Sequence, residues 1–233
     1  MKFSIIIPVL NEQHGIENCL LALQRYRDQA EIILVDGGSH DQTLSIATPL
    51  VDKVLKSAKG RAGQMNVGAN SADGDLFIFL HADTYLPDNE LTLISDGNAV
   101  WGRFDIRLTG SHWMLAVIAL MMNWRSRLTG IATGDQVIFV TKTAFNRVNG
   151  YPNIALMEDI ALCRRLKKLS SPLCLTAKVH SSARRWQEFG VFKIILLMWS
   201  LRLGYFFDEN PKALARLYKQ GRFWLPRCLR SKT

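Results

Sequence analysis

Three short runs, residues 3–9, 31–35 and 76–80, are almost wholly apolar and rich in β-branched or aromatic side chains. A strand with no polar face must be covered on both sides. Runs of this kind alternating with helical patterns therefore predict an α/β chain, in which a mostly parallel, Rossmann-like sheet is flanked by helices. The intervening stretches fit. Ile16, Leu20 and Leu23 fall on one side of a helix within residues 11–27, and Ser39 or Asp41 can cap a helix running through Ile46. A further strand is expected at 51–55 and a small-residue helix at 63–72. Beyond Pro87 the spacing predicts strands at 101–108, 136–140 and 173–179, and helices at 112–124 and 157–169. With 233 residues, 48% of them hydrophobic and 21% charged, the chain is long enough for one large domain with an appendage and too apolar for disorder.

The net charge of +9 is concentrated at one end. From Arg184 onward eleven basic residues face only Glu188, Asp208 and Glu209, and the rest of the chain is nearly neutral. Such a tail suits an anionic membrane face, a nucleic acid or an acidic partner, and equally a solvated surface. Nucleic acid is not expected, because the cations lie in no recognisable reading motif. Residues 112–124 hold about a dozen apolar positions where a span needs roughly twenty, and 189–207 is interrupted by Lys193 and Arg202. Core or interfacial burial is the expectation for both. Cys19, Cys163, Cys174 and Cys228 have no paired spacing, which points to reduced thiols in a cytosolic setting. The opening apolar run is too short for a signal peptide.

Ligands of open α/β sheets bind beyond the carboxyl ends of the strands, and two carboxylates stand there. Asp36 opens the run Asp36-Gly37-Gly38-Ser39-His40-Asp41, and Asp83 closes His81-Ala82-Asp83. Each reads either as a ligand group or as an ordinary turn and cap. Asp83 in its functional role suits a hard divalent cation that also takes substrate phosphates. Arg61, in a Gly-containing basic loop before a helix, can hold a diphosphate or simply face solvent. Glu158 and Asp159 open a helix, where carboxylates are caps as often as they are general bases. Arg184-Arg185-Trp186 can contact a phosphate or stack on a sugar, or pack on the surface.

Taken in order, Pro8-Val9-Leu10-Asn11-Glu12, the Asp36 run, Arg61 with Asn66, His81-Ala82-Asp83, Glu158-Asp159 and Arg184-Arg185-Trp186 resemble family 2 glycosyltransferases of GT-A fold. The resemblance covers roughly residues 1–190. Stretches 60–69, 83–87, 157–166 and 182–186 look more narrowly like a bacterial subgroup associated with arsenosugar biosynthesis and radical-SAM gene neighbourhoods. The resemblance implies a GT-A domain at 1–188 and an apolar, basic helical extension at 189–233. It also implies transfer with inversion from a nucleotide-diphosphate sugar, usually UDP-linked, to the hydroxyl of a small-molecule or lipid-linked acceptor. By the same likeness Asp36 contacts the base, Glu12 the ribose beside Pro8, and Arg61 the base or diphosphate. Asp83 carries Mg²⁺ or Mn²⁺, Asp159 is the general base supported by Glu158, and Arg184, Arg185 and Trp186 lie by acceptor or phosphates. The first aspartate of the family's metal motif is His81 here. That departure keeps open a non-catalytic nucleotide-sugar-binding or membrane-scaffolding protein of the same fold. The expected location is the cytoplasm, peripheral on the inner face of the membrane.

Overall fold

A computed structural model describes residues 1–87 and 90–225, without the side chains of Glu90, Arg185 and Glu188. Cys228 and the last three cations of the basic tail lie outside the described residues. The elements run β1 (Phe3–Val9), α1 (Ile16–Leu23), β2 (Ala30–Asp36), α2 (Thr43–Ala47), β3 (Lys53–Lys56), α3 (Arg61–Ser71), β4 (Leu76–Phe79) and β5 (Thr84–Tyr85). Then follow α4 (Glu90–Asp96), β6 (Trp101–Thr109), α5 (Met114–Thr129), β7 (Ile138–Thr141), α6 (Lys142–Arg147), α7 (Glu158–Leu166) and β8 (Leu173–Ser182). The chain ends in α8 (Arg184–Phe189), α9 (Val191–Phe206) and α10 (Pro211–Gln220).

All eight strands form one sheet in the order β3-β2-β1-β4-β7-β6-β8-β5. The first four are parallel; β1, β2 and β4 are the continuously apolar ones, covered on both faces, while the edge strand β3 alternates lysine with apolar residues. Alternate residues feed two cores. Ile5, Ile7, Ile32 and Leu34 join α1 and α5 on one face. Ile6, Ile33, Val35 and Phe79 join α3, α6 and α7 on the other. A smaller cluster unites Met157 and Ile160 with Ile194, Leu197, Leu201, Leu214 and Trp224, so α9 and α10 pack onto the start of α7.

The parallel expectation ends at β4. Its neighbour β7 runs antiparallel, pairing Leu76 with Thr141 and Phe79 with Ile138. β7 is in turn antiparallel to β6, whereas β6 and β8 are parallel with an irregularity between Phe104 and Asp105. The helix expected from residue 11 starts only at Ile16. Asn11 takes a left-handed conformation, which asparagine tolerates. Its side chain accepts from the His40 amide at 2.9 Å, and its own amide donates to Ser39 Oγ at 2.9 Å. The loops leaving β1 and β2 are thereby stitched together.

Close approach of α3 to the sheet needs a glycine at 68. A Cβ there would come within 2.4 Å of Ile6 Cγ2 and 3.0 Å of Val35 Cγ2. Both neighbours are stiff, buried, β-branched residues. In an open helix Gly→Ala stabilises by about 1 kcal/mol. Here overpacking should reverse the sign, and Gly68→Ala should lose about 1–3 kcal/mol in denaturant unfolding. A stabilised variant would mean that α3 does not sit this close to β1.

Candidate active site

A cleft of ≈ 1680 Å³ opens where β1 and β4 end, walled by the starts of α3 and α7 and by α5, α8, α9 and α10. Of the residues expected from the sequence, Pro8, Glu12, Arg61, Asp83, Glu158, Asp159, Arg184 and Trp186 line it. Arg185 belongs to α8, but its side chain lies outside what is described. Asp36 is not among the lining residues. It is buried, and its two oxygens accept from the amides of Gly38 (3.0 Å) and Ser39 (3.0 and 3.1 Å) and from Ser39 Oγ (2.6 Å). Those bonds use about all of a carboxylate's acceptor capacity. As it stands, Asp36 holds its own loop.

The rim is braced from below. Gln64 donates from Nε2 to the carbonyls of Val9 (2.9 Å) and Val35 (2.8 Å), which locks α3 under the ends of β1 and β2. Asn66 clasps the backbone of Tyr151, its Nδ2 donating to the carbonyl at 2.8 Å and its Oδ1 accepting from the amide at 2.9 Å. The loop that delivers α7 is thus tied to the helix that carries Arg61.

Asp159 lies in the first turn of α7, after Met157 in a left-handed conformation. Its Oδ1 accepts from the amide of Ile160 at 2.7 Å and its Oδ2 from that of Gly134 at 3.0 Å. One bond per oxygen orients the group and leaves lone pairs free toward the cleft. Gly134 belongs to a 3₁₀ turn, Gly134–Gln136, that the sequence reading did not single out. The turn also carries Asp135, whose Oδ1 is 3.2 Å from His81 Nδ1. The His81 ring lies directly on Gly134, where a Cβ would come within 2.5 Å of its Cε1. The position that lacks the expected aspartate therefore holds an imidazole linked to a carboxylate from another segment.

A buried polar network anchors this turn. Gln136, wholly buried, donates to Ser126 Oγ at 3.0 Å and to Asn123 Oδ1 at 3.4 Å on α5. Asn123 in turn bonds both the amide (2.8 Å) and the carbonyl (3.0 Å) of Ile106 on β6. Arg103 donates to Asp105 and to the Asn123 carbonyl, and Arg127 grips Asp105 with two bonds of 2.7 and 2.9 Å. The residue after the turn, Val137, has φ 51°, strained for a β-branched side chain and held by these contacts.

The charges divide by wall. On the β1 side, Arg184 Nη2 stands 3.8 Å from Glu12 Oε2. Desolvation lowers the Arg61 pKa, but Glu158, Asp135 and Asp83 more than reverse this and hold its charge. Burial pushes Glu12 up, with Arg184 opposing. Asp135 is partly desolvated as well, but His81, Arg61 and Arg202 keep it below its ordinary value. On the α5 and α9 side stand Arg125, which the sequence reading did not single out, and Arg202, which it took only as an interruption of an apolar stretch.

Glu158 is buried, and burial followed by repulsion from Asp159 raises its carboxyl above the ordinary value. The folded chain then holds this proton more tightly than the unfolded one. That contribution to stability is complete below the usual carboxylate range and fades as pH rises through the raised value. Melting of Glu158→Gln and the native chain at about pH 4 and about pH 7 should show the variant gaining on the native chain toward neutrality. A gap independent of pH would show that Glu158 ionises as freely folded as unfolded.

Comparison with known proteins places this geometry. Residues 4–114 match the family model "Glycosyl transferase family 2". A PGL/p-HBAD biosynthesis glycosyltransferase of Mycobacterium bovis is 26% identical over 204 residues, covering 81% of this chain and 77% of that protein. Two solved structures share the fold at 16% identity. One is the mannosyltransferase PcManGT of Pyrobaculum calidifontis, in complex with GDP-Man and Mn²⁺ (TM-score 0.65, 87% of this chain, 61% of that one). The other is glucosyl-3-phosphoglycerate synthase of Mycobacterium tuberculosis with Mn²⁺, UDP and glucosyl-3-phosphoglycerate (TM-score 0.60, 84% and 78%). The family-model match over residues 4–114, the named relative and the shared GT-A architecture make the chain a glycosyltransferase, similar to those of family 2.

Proposed function

We propose that the protein transfers a sugar, with inversion, from a nucleoside-diphosphate sugar, UDP-linked by preference, to an acceptor hydroxyl. The observation that carries this reading is the meeting of Asp83, from the end of β4, and Asp159, from the start of α7, in one cleft. In a single displacement Asp159 takes the acceptor proton, the acceptor oxygen bonds to the anomeric carbon, and the diphosphate departs with the electron pair of the broken C–O bond. The amides of Gly134 and Ile160 fix Asp159 for that step, with Glu158 behind it. Arg61 supplies fixed positive charge for the leaving diphosphate, while Glu12 and Pro8 face the ribose. Asp36 would meet the base by exchanging one of its loop bonds for a base N–H. Arg184 and Trp186, which line the cleft, would contact phosphate or acceptor together with Arg185.

A divalent cation fits this donor set. Among the described residues no group of three or more His, Cys, Asp or Glu could hold a metal. Mg²⁺ and Mn²⁺ commonly use one or two carboxylates and complete their shells with substrate phosphates and water. Asp83 would hold the ion, which when bound neutralises charge on the diphosphate. The Mn²⁺ in the two solved neighbours supports the reading. The stretches shared with the arsenosugar-associated subgroup make that setting the one proposed for the cell.

UDP with Mn²⁺ should raise the melting temperature, and Asp83→Ala should abolish the metal-dependent part of the rise. Asp159→Asn should keep nucleotide binding and lose about 10²–10⁴-fold in turnover. Undiminished transfer by Asp159→Asn would sink the assignment of the base, and failure of every nucleotide to bind would sink the donor class.

We further propose a cytoplasmic protein attached peripherally to the anionic inner face of the membrane. No helix among the described residues is long and apolar enough to cross a membrane. However, α9 exposes Phe192, Leu196, Trp199, Leu203 and Phe206 at helical spacing, next to the basic tail. Each surface cation adds about 1 kcal/mol of attraction to such lipids. The chain should float with anionic vesicles and remain behind with neutral ones; sedimentation away from both would refute attachment.

A further inference from the structure

One side of the cleft contains two cations with buried N–H groups that no partner among the described residues satisfies. Arg125 lies late in α5 and Arg202 late in α9, and both line the cleft. Nε and Nη2 of Arg125 and Nε of Arg202 are buried and have no hydrogen-bond partner among the described residues. Neither residue forms an ion pair among the described residues. A shielded guanidinium without an anion is costly, and two facing the same space are costlier. Burial, and then Arg202, bring the Arg125 pKa down to about 10. Burial lowers Arg202 too, with Asp159 and Asp135 as its only opposing charges. Asp159 is the carboxylate that both guanidiniums feel, which sets them beside the proposed base.

Around this cationic pair the wall is apolar and faces solvent. Met121, Trp124 and Leu128 from α5, and Trp199, Leu203 and Phe206 from α9, line the cleft with their side chains exposed; Trp124 is 60% and Trp199 69% accessible. A soluble phosphate would need the cations but not this lining. A flat bilayer would cover the lining but not reach N–H groups recessed within the cleft. One molecule with an anionic head and an apolar tail uses both.

We propose that the acceptor is an anionic amphiphile that carries its reacting hydroxyl at Asp159, with a phosphate-type group beside that hydroxyl held by Arg125 and Arg202 and an apolar tail along α5 and α9. The assignment rests on the glycosyl-transfer reading and names its acceptor class. Planar guanidiniums suit a phosphate through paired N–H donors, and aromatic side chains suit the start of an alkyl chain.

The test titrates the full chain with decyl phosphate, decanol and glycerol 3-phosphate, followed by tryptophan fluorescence and calorimetry. Decyl phosphate should bind saturably, with decanol and glycerol 3-phosphate weaker by about ten-fold or more. Arg125→Gln and Arg202→Gln should each weaken decyl phosphate by about ten-fold or more, with the UDP and Mn²⁺ melting shift retained. Trp199→Ser should weaken decyl phosphate but not glycerol 3-phosphate, and this arm decides the matter if the arginine variants do not fold. Equal binding of decanol and decyl phosphate, or unchanged binding by both glutamine variants, overturns the anion site. Glycerol 3-phosphate binding as tightly as decyl phosphate overturns the tail and points to a soluble phosphate. Arginine-dependent decyl phosphate binding without any nucleotide binding separates the outcomes: the site stands and the transfer reading fails.

Discussion

The site depends on the direction of one strand. In a wholly parallel sheet, only segments leaving the strands reach the ligand rim. β7 is antiparallel to β4, with Ile138 opposite Phe79, so the segment entering β7 arrives at the rim that β4 leaves. That places Gly134 and Asp135 against His81 and Asp159. The pairing would be useless if the turn were slack. Gln136, Asn123 and Ser126 tie it to α5 and β6 through bonds that have no access to water, where a missing partner is expensive.

Much of the first half was legible in sequence because its strands are fully buried and leave an unambiguous apolar signal. The placement of Asp83 followed from the rule that ligands sit beyond strand ends, Arg61 was read from its basic loop before a helix, and Glu12 came from the family likeness. Asp135 escaped for the complementary reason. It precedes a strand, and only three-dimensional pairing shows that preceding this strand means reaching the site. Asp36 shows the opposite limit. Its position at a strand end was read correctly, but its carboxylate is engaged by Gly38 and Ser39. Position does not reveal whether an acceptor is already occupied.

Arg202 carries a related lesson. Within an apolar stretch it looked like an interruption that argued against a membrane span. In the fold, an apolar helix with one inward cation presents a greasy wall with a single charged spot, a surface quite different from an amphipathic stripe. Helix α5 repeats the device with Arg125. Composition registers such residues as exceptions, and geometry shows them converging.

The clustering of the hydrophobic residues has a consequence for how such proteins diversify. The wall made by α9 and α10 rests mostly on a small core shared with the beginning of α7, and α9 reaches the sheet's core only through its first turns, at Val191 and Ile195. A lineage could remodel that terminal helical pair without disturbing the strands, and so change what it glycosylates while keeping the sugar it spends. A chain ending at residue 188, the boundary expected from the sequence, would lose one bank of the cleft.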